Sequence, residues 1–198
     1  ISDMAARQNA VVAINGDFYV NDPDKKTYEY RMGEKLRARY NTKKDMLIID
    51  ENADFHLFVQ SPKAEVEAFL ADEHQIVNAF TFGPALVKDG SLLTTDKKYS
   101  YNPNGREPRM AIGQMAELHY VLVLAEGRTG SSSGVTHQEL ADFMYDIGCW
   151  QAYNLDGGNS ATIVFNGGYF QSGRSQNTER SQSDAIYFAT AIDLGLGK

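Results

Sequence analysis

The stretch Tyr153-Asn154-Leu155-Asp156-Gly157-Gly158-Asn159-Ser160 leaves this chain few ways to fold locally. An apolar run stops at a carboxylate. Two glycines follow, and a second apolar run extends from Ala161 to Phe165. The pattern reads as a strand that ends in a sharp turn, because glycine reaches backbone conformations closed to other residues and lets the chain pass close to a ligand. Two readings compete. Asp-Gly is a strong hairpin signal. A carboxylate at the end of a strand is also delivered from a rigid element to the rim of a site.

Other apolar runs carry the same punctuation. Ala10 to Ile14 reads as a buried strand running into Asn15-Gly16-Asp17-Phe18-Tyr19. Residues 20–44 are polar and rich in charge and tyrosine, as a long loop or irregular hairpin would be. Met46–Ile49 and Phe55–Val59 read as paired strands, with residues 50–54 as their turn. Ser61-Pro62 opens a helix whose apolar residues Val66, Phe69 and Leu70 follow helical spacing. Ile76–Phe80 and Ala85–Val87 are short strands, and 94–108 is a second polar loop.

Arg109–Gly113 and His119–Ala125 follow as strands. Tyr120–Leu124 is continuously apolar, as expected of a central strand covered on both faces. Thr136 and Glu139 form a capping box, with Leu140, Phe143, Met144 and Ile147 at helical spacing and Gly148 as the stop. A last strand spans Ala185–Ala191. Strands with a few helices and no regular βα alternation predict an α+β fold, a single domain with one mixed sheet.

Composition narrows the partners. At 198 residues the chain is long enough for one domain with a substantial core. A net charge of -7 argues against nucleic acid as a partner, and no apolar run is long enough for membrane insertion. Cys149 is the one cysteine, so no internal disulfide forms; its setting reads as a buried small hydrophobe. His56, His74, His119 and His137 are scattered, with no zinc spacing.

Two segments share a grammar. Asn15-Gly16-Asp17 and Asn154-Leu155-Asp156-Gly157 each end a buried strand in Asn, Gly and Asp. Paired carboxylates suit cleavage of a glycosidic bond, and oxygen ligands equally suit a hard cation. Arg109 and Arg180 stand near strand ends and offer the forked donor that fits phosphate or carboxylate. Arg128, in the loop 127–134, is a further phosphate ligand or a solvated side chain.

Six segments, in order, resemble the phosphodiester glycosidase family, most closely its bacterial members. They are Ser2-Asp3-Met4-Ala5 through Ala13–Tyr19, Phe82–Val87, Pro108–Gly113, Glu139-Leu140-Ala141, Asn154–Gly158 and Glu179–Asp184. The family often reads Asp-Gly-Gly-Gly-Ser-Ser, where this chain has Asp156-Gly157-Gly158-Asn159-Ser160-Ala161. The resemblance implies a phosphodiester glycosidase domain over residues 1–198, lacking some N-terminal sequence. The implied activity is a hydrolase that cuts the sugar C1–O bond of a glycosyl phosphodiester resembling N-acetylglucosamine-1-phosphodiester.

Under that resemblance Asp156 is nucleophile or general base and Asp17 the second carboxylate. Arg109 and Arg180 clamp the phosphate. Asn15 and Asn154 orient carboxylates or bind sugar, Gly157 and Gly158 turn N–H groups to the anion, and Gly16 and Ser160 line the site. No cofactor is required, and a structural or substrate-bridging divalent cation stays open. The implied partner is a glycosyl phosphodiester or phosphoglycan, at an extracytoplasmic location such as the cell envelope. The alternative is a non-catalytic phosphoglycan-binding module that stacks sugars on Tyr19, Tyr28, Tyr30, Tyr99 or Tyr101.

Overall fold

Each continuously apolar strand is covered on both faces, and that arrangement organises the whole molecule. The computed structural model describes residues 1–17, 27–60, 63–95, 99, 101–172, 179–192 and 195. In chain order the elements are α1 (Ser2–Arg7), β1 (Ala10–Asn15), β2 (Tyr28–Arg31), β3 (Glu34–Ala38), β4 (Met46–Asp50), β5 (Phe55–Phe58), α2 (Lys63–Ala71), β6 (Ile76–Phe80), β7 (Ala85–Lys88) and β8 (Ser91–Leu92). They continue with β9 (Arg109–Ala116), β10 (His119–Ala125), α3 (His137–Asp146), β11 (Gln151–Leu155), a single 3-10 turn (Gly158–Ser160), β12 (Thr162–Phe165), β13 (Gly168–Ser172) and β14 (Ala185–Ala189).

Among the described residues the strands form three sheets, ordered β13-β12-β1-β14, β10-β9-β11-β7-β8 and β3-β2-β6-β4-β5. The α+β class holds. The single mixed sheet expected from sequence is replaced by three antiparallel ones. Their inner faces share one core, built from Ile14, Leu47, Ile49, Phe80, Met110, Ile112, Tyr153 and Leu155. Each outer face carries one helix. Ala5 of α1 packs on Ala13 and Val164, Val66 of α2 on Met46 and Ile48, and Leu140 and Met144 of α3 on Ala111 and Ala152.

Strand periodicity explains the assignment. In β4, Leu47 and Ile49 point to the shared core while Met46 and Ile48 point to α2. The continuous run in β10 has the same cause, and the central position expected for it does not follow. Tyr120, Leu122 and Leu124 face the shared core and Val121 and Val123 face α3's cluster, yet β10 is an edge strand. The apolar run therefore reports two covered faces, not two flanking strands.

Local signals in α3 agree with the structure. Thr136 accepts the Glu139 N–H and the Glu139 side chain accepts the Thr136 N–H, so both halves of the capping box form. Cys149 is buried in the α3 cluster, as its setting predicts. The segment 28–38, expected as loop or irregular hairpin, is the antiparallel pair β2–β3. Ser61 and Pro62, expected to open α2, lie outside the described residues.

Candidate active site

Strand pairing brings the two Asn/Gly/Asp segments together. Asn15 ends β1 and is fully buried. Its side-chain N–H donates to the Asp156 carbonyl at 2.8 Å, and its side-chain oxygen accepts the Thr162 N–H at 3.0 Å. Asn15 thus fastens the segment before Asp17 to the turn after β11. It acts on the backbone that carries Asp156, and both its polar atoms are committed there.

Asp184 joins from the third direction. Asn15 pairs with Ala185 in the β1–β14 ladder, which sets Gly16 beside Asp184. A Cβ on Gly16 would lie 2.7 Å from Asp184 Oδ1, so only glycine admits this approach. The Asp184 carboxylate is held by Arg31, through Nε at 2.8 Å and also through Nη2. The same Nη2 lies 4.0 Å from Asp17 Oδ2. Arg31, at the end of β2, also donates to the Ala79 carbonyl at 2.6 Å and sits 4.2 Å from the Phe80 ring centre. Asp17, Asp156, Asp184 and Arg31 therefore meet where β1, β11, β14 and β2 begin or end.

The two principal carboxylates differ in surroundings. Asp17 is buried and accepts the Thr81 N–H at 2.9 Å. Burial pushes its pKa up to about 7, against the attraction of Arg31 and with added repulsion from Asp184. Asp156 is half-buried, and burial raises it as well. Three groups hold its charged form, namely the Ser160 hydroxyl, the Gly157 N–H and the Arg180 guanidinium. Arg180 also donates to Ser160 Oγ at 3.2 Å, so a chain runs from Arg180 through Ser160 to Asp156. Ser160 is itself buried.

Arg109 departs from its expected role. It is 3% exposed, and its five N–H donors are all spent inside the protein. They meet the carbonyls of Val135, Tyr101, Asn102 and Gly105 and the His137 ring. Burial lowers its pKa to about 10 and that of His137 to about 3. No donor remains for a phosphate. Arg109 instead organises the loop that carries Tyr101. The Tyr101 hydroxyl is pushed up to about 12 by burial and then by Asp17 and Asp156, which places this loop beside both carboxylates.

Other expectations resolve similarly. The Gly158 N–H donates to the Pro108 carbonyl at 2.8 Å, so it does not face an anion. A Cβ on Gly157 would lie 2.5 Å from that same carbonyl oxygen. Asn154 is fully buried and donates to the Gly83 carbonyl at 2.8 Å, bracing the turn before β7. Tyr28 is buried, stacks with Tyr30 and packs at a tilt against Tyr40. Tyr99 is buried too, and Tyr101 packs on Phe82 at 4.5 Å with the Lys44 ammonium 4.4 Å from its ring centre. Tyr19 lies outside the described residues.

Sequence reasoning misses Arg31 and Asp184 as site residues. Arg31 falls in a segment that reads as a long loop or irregular hairpin, and only the β2–β6 pairing brings it to Asp17. Arg128 curls over the turn, with Nη1 3.5 Å from where a Gly158 Cβ would be, and pairs through Nε with Glu107 at 2.5 Å. An open groove of about 630 Å³ reaches the site from the α1 side, lined by Arg31, Asp184, Met4, Met32, Phe80 and Tyr187 among others. Asp17 and Asp156 do not line it.

A cluster of carboxylates and arginines thus gathers at strand ends, with an open groove beside Arg31 and Asp184. The chain belongs to the phosphodiester glycosidase family, whose model matches residues 8–189. It is 28% identical over 190 residues to the SPbeta prophage-derived uncharacterized protein YomE of Bacillus subtilis, covering 94% of this chain and 29% of that protein's length. The fold is similar to the zebrafish N-acetylglucosamine-1-phosphodiester alpha-N-acetylglucosaminidase catalytic domain auto-inhibited by its pro-peptide. That match has a TM-score of 0.72 at 19% identity and covers 96% of this chain and 67% of that one. A Burkholderia pseudomallei protein, described as a candidate exported protein, matches with a TM-score of 0.64 at 15% identity over 96% of this chain and 68% of that one.

Proposed function

We propose that this protein hydrolyses the sugar C1–O bond of a glycosyl phosphodiester, releasing a sugar and a phosphomonoester. The observation that carries the reading is the meeting of Asp17, Asp156 and Asp184 with Arg31 and Arg180 at strand ends of a phosphodiester glycosidase fold. Water adds to C1, the C1–O bond breaks, and its electron pair leaves on the phosphate oxygen. The proton from water passes to a carboxylate. The leaving phosphomonoester has a second pKa of about 6, so it departs with little help from a general acid. The larger demands are stabilising positive charge at C1 and holding the departing anion.

Asp156 meets the first demand. It is half-buried; burial raises its pKa, and Ser160, Gly157 and Arg180 oppose that rise by holding the ionised form, as suits a general base or nucleophile. Asp17, whose pKa burial pushes up to about 7 against the attraction of Arg31, is the second carboxyl. Contrasting environments for two neighbouring carboxyls are the usual basis for separate acid and base roles. Arg180 and Arg128 hold the phosphate over the Asp-Gly-Gly turn, in place of Arg109. The Thr81 hydroxyl and Asp184 Oδ1 have no protein partner among the described residues, and a hydroxylated ligand supplies such partners.

Against the binding-module reading, Tyr28 and Tyr99 are buried, and Tyr101, though 40% exposed, packs on Phe82. The location we propose is extracytoplasmic, in keeping with the description of the Burkholderia relative. The test is incubation with a synthetic N-acetylglucosamine-1-phosphodiester and separation of the products. Free sugar and phosphomonoester support the reading. Sugar phosphate would mean P–O cleavage, and binding with no product would return the module; either result overturns the proposal.

A further inference from the structure

Away from the candidate active site, two of the four scattered histidines come together around one buried carboxylate. Asp50 ends β4 and is 2% exposed. Its Oδ1 accepts the N–H groups of Asn52 and Asp54 at 2.9 and 3.0 Å, which shapes the β4–β5 turn. Its Oδ2 serves no backbone group. Instead it lies 2.9 Å from His56 Nε2 and 3.7 Å from His74 Nδ1. Ligand atoms of Asp50, Glu51 and His74 all fall within 4.8 Å of one another.

We infer that Asp50, Glu51, His56 and His74 form a binding site for a divalent transition-metal ion of the zinc class. The donor set argues for that class. Two imidazoles with two carboxylates suit zinc and its neighbours, whereas calcium and magnesium take oxygen ligands. The geometry is close to what is needed. Ligands about 2.0–2.1 Å from a tetrahedral ion sit roughly 3.4 Å apart, so closing the spacing among Asp50, Glu51 and His74 takes shifts of about 1 Å, while His56, now hydrogen-bonded to Asp50 Oδ2, has to turn toward that trio to complete the set.

The imidazoles are already oriented by packing. Phe69 of α2 stacks flat on His74 at 4.4 Å and lies 4.6 Å from His56. Glu51 accepts the Gln75 N–H at 2.8 Å, which holds its carboxylate beside the α2–β6 turn. His56 and His74 are 30% and 35% exposed, so an ion has access.

Four protein ligands make a closed site, which is the structural rather than the catalytic type. Its placement agrees. β4 and β6 run antiparallel, with Asp50 paired to Ile76 and Leu47 to Phe80. The cluster caps the end of β6 opposite Thr81, the residue that holds Asp17. A bound ion therefore ties the β4–β5 hairpin to the α2–β6 turn, leaving the carboxylates of the active site untouched. Sequence spacing conceals this site, since it draws on a hairpin and a helix-to-strand turn.

The experiment is titration of the metal-free full chain with Zn²⁺ by calorimetry, with Co²⁺ followed by visible absorption. One Zn²⁺ per chain, a raised thermal midpoint and intense tetrahedral Co²⁺ bands are expected. His56→Gln and His74→Gln should each weaken Zn²⁺ binding by more than about tenfold, while His119→Gln, exposed on β10, leaves it unchanged. A wild-type Co²⁺ spectrum no different from the solvated ion overturns the inference without recourse to any variant. So does a Zn²⁺ isotherm that neither histidine substitution alters.

Discussion

Replacing Asp17 with asparagine gives the sharpest test of the electrostatics of the site. Burial raises the Asp17 pKa from the ordinary 3.8 to about 7, with Arg31 opposing and Asp184 assisting. A carboxyl whose folded pKa lies above its unfolded value binds its proton more tightly when folded. Its contribution to stability is complete below about pH 4 and is lost as pH rises through about 7. The interval spans about 3 pH units at 1.36 kcal/mol each, so at most ~4 kcal/mol of stability is lost by deprotonating Asp17.

The substituted amide would keep an acceptor for the Thr81 N–H and carry no charge at any pH. Wild type and Asp17→Asn are compared by urea denaturation from about pH 4 to about pH 8, and other titrating groups cancel in the difference. The expected result is a variant that gains on the wild type steadily with pH and levels off above about pH 7. A difference that stays constant across the range would refute the argument that burial dominates at Asp17.

The remaining predictions concern roles and packing. Asp156→Asn should lower sugar release by at least ~100-fold while its thermal midpoint stays near that of the wild type, checked by product assay and calorimetry. Arg109→Ala should cost ~3 kcal/mol or more, because five internal hydrogen bonds lose their donor, and should reduce phosphodiester and aryl glycoside turnover alike. Arg180→Ala should impair phosphodiesters more than aryl glycosides and shift the acidic limb of the pH–rate profile upward, since Arg180 holds the Asp156 charge. Gly16→Ala should destabilise by ~1–3 kcal/mol, as the new methyl group presses on Asp184 and the Arg31 pair behind it; a denaturation midpoint equal to wild type would contradict this.

Much of this is legible in the sequence, for local reasons. The β4–β5 hairpin, the α3 capping box and the strand ends at Asn15 and Leu155 follow from turn residues and periodicity within short windows. What stays hidden depends on long-range pairing. A strand apolar at every position looks the same at an edge as in the middle when both faces are covered, which is why β10 misleads. Arg109 and Arg31 show the same limit at the level of side chains. Both arginines are charged and near strand ends, yet the Arg109 guanidinium faces a ring of loop carbonyls and that of Arg31 faces two carboxylates. Only the surrounding backbone decides which.

The connectivity of β1 has a consequence for how this chain matures. Both of its neighbours in the sheet, β12 and β14, come from residues 162–189, and the Asn15–Thr162 hydrogen bond spans 147 residues. On a ribosome, β1 emerges early and waits for partners that are made much later. During that wait an apolar strand has two open edges, the condition in which nascent chains pair wrongly or need a chaperone. The juxtaposition of Asp17 with Asp156 then forms only after residue 162 has been made, because Asn15 links the two segments through Thr162 and the Asp156 carbonyl.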